Sequence, residues 1–151
     1  MIAEGDTYTK WPDDETYPQL AVNYLKLDRV PLYNETWSPI VEGIRSGNFF
    51  GTMGETLCHD WKVTISGANS TYSATIEYTF PFEFAELVWS DGVKVDRRII
   101  DLAGTAPFGV KTFKIPFDAA NKKWVRFAVW DSGNGAWLQP VSPTGPKKDS
   151  R

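Results

Sequence analysis

The sequence predicts a mainly β protein: an antiparallel β-sandwich of the immunoglobulin or fibronectin kind, preceded by a short α/β segment with one helix. From residue 60 to residue 141, about seven short segments alternate apolar and polar side chains, with a turn signal roughly every 8–12 residues. Aromatic residues make up 15% of the chain. Large rings efficiently fill the layer of about 10 Å between two packed sheets, so this content also favours a sandwich.

The first part of the chain is mixed in character. Residues 1–19 are polar and contain Pro12 and Pro18, which predicts an extended lead-in. Residues 21–30 are apolar in places and end before Pro31. Their periodicity does not decide between a strand and a short helix.

One helix is predicted clearly. Ser38 is a suitable N-cap, Pro39 suits the first turn, and Gly47 is placed to end the helix. Its apolar side chains fall on one face: Ile40, Val41 and Ile44. A short strand broken by glycines is expected over residues 48–55.

The strands that follow are predicted from their alternation, which is clearest over residues 73–80. The others are centred on residues 61–65, 85–89, 95–102, 113–117, 124–130 and 136–141, with turns at 90–92 and 131–135. The change of pattern near residue 58 predicts three parts: a lead-in segment at 1–57, a sandwich domain at 58–142 and a disordered tail at 143–151.

Composition excludes several classes of function. The net charge of −3 leaves no basic surplus for a nucleic acid, and no segment approaches the apolar length of a membrane helix. The N-terminus has no signal-peptide pattern. The sequence does not determine the compartment, because the chain is either complete or a piece of a longer protein whose N-terminus lies elsewhere. A single Cys and a single His exclude an internal disulfide framework and a multi-histidine metal site, so we expect no metal and no cofactor in this chain.

Two groups of residues invite a chemical interpretation. Cys58, His59 and Asp60 are consecutive, which suits a loop between strands better than a catalytic triad, whose members come from separate segments. Trp130 and Trp137 flank a turn and are candidate ligand-binding residues, since exposed indoles stack on sugar rings. The competing interpretation is that both pack against the protein itself. Paired carboxylates of a hydrolase are a third interpretation, but spacing alone does not pair them.

Two blocks of sequence resemble the C-terminal end of PHP-domain metallohydrolases of the CehA/McbA-like kind. The first block is residues 21–57, and the second comprises residues 80–102 and 108–141. The phrase from Trp37 to Phe50 resembles the last helix and strand of the barrel in such enzymes, and TMGE at 52–55 resembles its closing turn. WVRFAVWDSGNGAWLQPV resembles the terminal hairpin of the appended sandwich.

The resemblance implies a hydrolase parent whose divalent metal lies in an N-terminal barrel, since this chain lacks the metal-binding His and acidic set. Residues 1–57 would then be the lead-in and the remnant of the barrel end. Thr52 and Glu55 would lie near the parent's site, because barrel active sites form at the C-terminal ends of strands; the rival role for Glu55 is a structural bond at the junction.

The function expected is therefore that of a non-catalytic C-terminal accessory region, which braces the barrel or shapes the mouth of its site. The barrel would be its partner. Apolar residues left by the absent barrel would either fold back on the sandwich or form a patch that drives self-association: Trp37, Ile40, Ile44, Phe49 and Phe50. The alternative function is a carbohydrate-binding module that uses exposed tryptophans.

Overall fold

The computed structural model describes residues 2–3, 21–66 and 69–143. This part of the chain contains nine strands and one helix. In chain order they are β1 (Val22–Leu25), α1 (Ser38–Arg45), β2 (Phe49–Met53), β3 (Thr56–Thr64), β4 (Ser70–Tyr78), β5 (Phe84–Ser90), β6 (Val95–Asp101), β7 (Gly109–Phe117), β8 (Trp124–Trp130) and β9 (Gly135–Leu138). No helix here is long and apolar enough to cross a membrane.

The strands form two antiparallel sheets. One has six strands in the order β1-β2-β9-β8-β5-β6, and the other has three in the order β3-β4-β7. The main core gathers buried side chains of both sheets, including Tyr72, Ile76, Leu87 and Phe127, each with no accessible surface. The fold is therefore mainly β and antiparallel, consistent with a β-sandwich, as the sequence predicts. The immunoglobulin-like topology stays a prediction.

Strand β4 illustrates why the alternation was informative. Its residues 70, 72, 74, 76 and 78 are all buried, while the residues between them are half-buried or exposed. Each strand of a half-buried sheet turns every second side chain to the core. The strand ends at Tyr78, however, and Phe80 is 51% exposed, so the alternation predicted as far as Phe80 extends past the strand. Pro81 follows it, and a proline cannot donate to a sheet ladder.

Strand β2 carries the sheet across the boundary predicted between residues 57 and 58. It pairs with β1 on one side and with β9 on the other, near the end of the chain. Phe49 and Phe50 are 3% and 5% exposed, so these two residues pack into the protein itself. The division into 1–57 and 58–142 therefore cuts through one hydrogen-bonded sheet. Most of the extended stretch predicted at residues 1–19, and all of the predicted tail except residue 143, lies outside the described residues.

The register of β2 with β9 requires a glycine. Gly51 lies opposite Trp137, and a Cβ atom on Gly51 would be 2.5 Å from Cε2 of the indole. No real Cβ atom tolerates such a contact. The indole therefore lies flat over the backbone of β2, on the face of the sheet away from the main core.

Helix α1 ends at its C-terminus as the sequence predicts, but the prediction of Ser38 as the N-cap is wrong: Trp37 is the N-cap, makes no side-chain cap bond, and Ser38 is the first helical residue. The helix begins at Ser38, whose N–H donates to the Thr36 hydroxyl at 3.2 Å, with Pro39 in the first turn. Gly47 adopts a φ of 71°, and the N–H groups of Gly47 and Asn48 donate to the carbonyls of Ile44 and Gly43. This pair of bonds is the Schellman arrangement, which satisfies carbonyls that a helix end leaves open.

We predict that Gly51→Ala destabilises the protein by about 1–3 kcal/mol, because the new methyl group overlaps the Trp137 indole. Urea unfolding followed by fluorescence would measure the change. Gly133→Ala is the matched control: a Cβ there meets nothing within 4 Å, so we expect its stability to stay within about 0.5 kcal/mol of the parent's. Equal midpoints for the two variants would contradict the packing described.

Candidate functional site

A surface groove lies between α1 and the segment that leads into it. This groove has a volume of about 670 Å³. Its walls are formed by residues 26–29, 31, 35–36, 39, 42–43, 46 and 48. The groove is thus built almost wholly from the part of the chain between β1 and β2.

A two-pronged ion pair fixes one wall of the groove. Arg29 donates from both terminal nitrogens to the Glu35 carboxylate, at 2.6 and 2.8 Å, and the N–H of Leu32 donates to the same carboxylate at 2.9 Å. These bonds lower the pKa of Glu35 and raise that of Arg29. The fork and the Leu32 bond thus link the two ends of the loop 29–35 through one carboxylate.

The other wall is the helix, which is anchored on its glycine side. Gly43 is buried, and a Cβ on it would lie 3.4 Å from Leu27 and 3.5 Å from Leu25. Of the apolar stripe predicted for α1, Ile40 is half-buried, whereas Val41 and Ile44 face outward. Val41 and Ile44 are 41% and 40% exposed.

Apolar side chains continue from the helix along the preceding loop. We call this set the 30–44 surface: Val30, Leu32, Tyr33, Trp37, Val41 and Ile44, all exposed. Tyr33 is 96% exposed and Trp37 is 61% exposed, so two large rings stand free of the sandwich. Single exposed apolar residues are ordinary, but six within fifteen residues are an unusual concentration for a protein surface.

A second, smaller cleft of about 280 Å³ lies between the edge strands β1 and β3. Tyr24 stacks on Phe50 with 5.2 Å between ring centroids, and Phe50 meets Trp61 edge-on at 6.1 Å. Lys26 lies 5.4 Å from the Trp61 ring centroid and pairs with Asp60 at 3.2 Å. This aromatic row closes the gap between the two sheets and attaches β1 to the strands after residue 57.

Cys58, His59 and Asp60 do not converge on one point. The Cys58 side chain is buried, and its thiol lies 3.5 Å from the Asp60 carbonyl. His59 is exposed and its Nε2 lies 2.5 Å from Glu77. The register of β3 shifts between Cys58 and Asp60, which leaves His59 without an opposite residue. The three residues thus belong to a bulged edge strand, not to a loop between strands as predicted.

No group of three or more His, Cys, Asp or Glu side chains that could hold a metal ion occurs within residues 2–3, 21–66 and 69–143. The acidic group with the most contact to other charges is Glu86, which is 6% exposed. It lies 3.5 Å from Arg97 and 3.5 Å from Arg126, on the same sheet face as Trp137. This arrangement neutralises a buried carboxylate and supports the sheet.

Thr52 and Glu55 were expected near a parent's site. Thr52 is completely buried in β2 and donates its hydroxyl proton to the Gly135 carbonyl at 3.2 Å. Glu55 is exposed at the turn after β2, and its backbone carbonyl accepts the Thr79 N–H at 3.2 Å. The hydroxyl bond of Thr52 therefore has a structural role, since it joins β2 to β9. Glu55 lines a small surface cavity together with Tyr24 and Glu77.

Trp130 and Trp137 lie together as the sequence allowed, with ring centroids 6.1 Å apart and planes 17° apart. Trp137 is only 7% exposed, however, and it packs with Ala3 and Ala128. A sugar needs a free ring face, so Trp137 does not offer the platform that the carbohydrate hypothesis requires. Sequence reasoning placed these rings next to each other but missed Gly51 beneath one of them.

The 30–44 surface was only partly foreseen. Trp37 and Ile44 were candidates for an orphaned patch, whereas Leu32 and Tyr33 were not singled out. The signal available in the sequence was the presence of Val30, Leu32 and Tyr33 in a stretch that contains prolines and polar residues typical of a surface loop.

Comparisons with protein-family models, curated proteins and solved structures find no match to this chain.

We predict that the Cys58 thiol does not react with thiol reagents in the folded protein. Burial raises the pKa of its thiol to about 12, so almost no thiolate is present at pH 8. Ellman's reagent should report no reaction at pH 8 under native conditions and one thiol per chain in guanidinium. Rapid stoichiometric labelling of the native chain would contradict this burial.

Proposed function

We propose that this chain is a non-catalytic accessory β-sandwich region that docks, through the 30–44 surface, onto the barrel of a PHP-like metal-dependent hydrolase. There it braces the barrel or shapes the mouth of its active site. One observation carries the proposal: six exposed apolar side chains project from a chain whose own core is closed without them. The partner is suggested by the resemblance of residues 21–57, 80–102 and 108–141 to the C-terminal end of PHP-domain metallohydrolases, with β2 belonging to the sandwich sheet rather than to the barrel.

The size of the surface is adequate for docking. Burial of apolar area contributes about 25 cal/mol per Å², so covering a few hundred Å² contributes several kcal/mol before the costs of association. Trp37 and Tyr33 are the residue types that most often dominate an interface. Their exposure beside a groove gives a partner both rings to cover and a concavity to fill.

The surface is also held in shape before any partner arrives. The Arg29–Glu35 fork fixes the loop, and the Schellman bonds at Gly47 fix the end of the helix. A surface that is already ordered loses less conformational entropy on binding. This preorganisation favours a docking role over a loosely held connecting segment.

The divalent metal implied by the resemblance is assigned to the barrel. Among the described residues, Cys58 and His59 do not suit it, because the Cys58 thiol is buried and protonated and His59 is directed to Glu77. We therefore assign no hydrolytic step to these residues. The carbohydrate-binding alternative is not carried forward, since Trp137 lacks a free face.

We predict saturable binding of the purified chain to a PHP-family barrel that lacks its own C-terminal sandwich, measured by isothermal titration calorimetry. The double variant Trp37→Ser, Ile44→Ser should weaken binding by about tenfold or more, because two contact side chains are removed from the interface. Val93→Ser is the matched control: Val93 is 95% exposed but lies outside the 30–44 surface, and its affinity should match the parent's.

Two results would overturn the proposal. One is binding that is absent or is equally strong for the double variant. The other is stoichiometric Zn²⁺ or Mn²⁺ in the isolated chain together with turnover of ester or phosphoester substrates, which would place catalysis in this chain.

A further inference from the structure

Strand β6 is the exposed edge of the six-stranded sheet. It ends the strand order, and its seven residues are exposed except for half-buried Ile100. Its apolar residues Val95 and Ile99 are 60% and 55% exposed. An exposed edge of this length presents backbone groups that can pair with another strand.

Along β6, the backbone N–H and C=O groups of successive residues point alternately toward β5 and away from the sheet. The N–H of Leu102, just past the strand, donates to the Glu83 carbonyl on the β5 side at 2.9 Å. Because backbone direction alternates along an antiparallel strand, residues 100, 98 and 96 also face β5. The N–H and C=O groups of Arg97, Ile99 and Asp101 therefore face away from the sheet.

We propose that β6 pairs antiparallel with β6 of a second copy of this chain, about a two-fold axis at Ile99, to join the two six-stranded sheets edge to edge. In this register Ile99 lies opposite Ile99, and each Arg97 lies opposite Asp101 of the other copy. All three opposed pairs use backbone groups that face outward. Two ion pairs thus flank an apolar centre on one face of the joined sheet.

The charge sequence of the strand selects this register. Moving the axis to Arg98 or to Arg97 places two arginines directly opposite each other, and like charges in that position destabilise a strand pair. Moving it to Ile100 leaves no ion pair between the copies. Only the axis at Ile99 pairs each Arg97 with an Asp101, so the strand is complementary to itself in one alignment.

One local bond must be exchanged for the pairing. The Arg97 N–H donates to the Asp96 carboxylate at 2.9 Å, and in the dimer it donates to the partner's Asp101 carbonyl instead. Arg97 also lies 3.5 Å from Glu86, which keeps its contact with Arg126 when Arg97 turns outward. The exchange therefore leaves the buried carboxylate with a cation.

The dimer and the docking role are independent. Strand β6 and strand β1 lie at opposite edges of the six-stranded sheet, and the 30–44 surface follows β1. Failure of one proposal therefore leaves the other standing, and the variants that test them do not overlap.

A cysteine at the two-fold axis tests the register directly. Opposite residues that exchange backbone bonds have Cα atoms about 5.5 Å apart, within the range for a disulfide. Ile99→Cys should therefore give a covalent dimer under mild oxidation, read on a non-reducing gel, whereas buried Cys58 stays unreacted. Val95→Cys, on the same face, is the control. In this register its two copies are separated by about 26 Å along the strands, so it should give no dimer above collisional background.

Charge reversal gives a second, reversible readout by sedimentation equilibrium over a wide range of chain concentration. The parent should dimerise, and Asp101→Arg should weaken dimerisation by about tenfold or more, because both ion pairs become arginine pairs. Adding Arg97→Asp to that variant should restore it. A parent chain that stays monomeric, a double variant that is not restored, or equal crosslinking at residues 95 and 99 would each overturn the proposal.

Discussion

The pairing of β2 with β9 is the constraint on which the rest of the structure depends. Gly51 lies opposite Trp137 in this pair, and the indole occupies the space that any Cβ would take. The contact joins a segment near the start of the described chain to one near its end. Through it, Phe50 enters the main core and Tyr24 stacks on Phe50, so that β1 is held at the edge of the sheet.

This constraint also determines what remains outside. With Phe49 and Phe50 buried, the helix of the connection from β1 to β2 approaches β1 at Gly43, close to Leu25 and Leu27. The other apolar side chains of the helix and loop have no core to enter. The six-stranded sheet therefore presents two different surfaces at its two ends: an apolar, preformed patch after β1 and a charged, self-complementary strand at β6.

The sequence predicted what depends on local patterns. Alternation identified the strands after residue 56, and Pro39 with Gly47 identified both ends of the helix. It did not predict that β2 pairs with β9, because Gly51 and Trp137 are far apart in the chain and the reason for the glycine is a ring contributed by the other strand. For the same reason the sequence did not reveal that β2 shares a sheet with the strands after residue 58, or that the Trp137 ring is covered. Helix periodicity likewise gave the apolar stripe of α1, but the side that faces the sheet depends on Leu25 and Leu27.

Native-state hydrogen exchange would show whether β2 opens together with β8, since it reports the opening free energy of each amide separately. If β2 is integral to the sandwich, its amides should exchange only by global unfolding, with the same opening free energy as those of β8. Amides of α1 should exchange more readily, through local opening. Exchange of β2 at the rate of α1, well before β8, would mean that residues 21–57 open as a separate unit and would contradict the account.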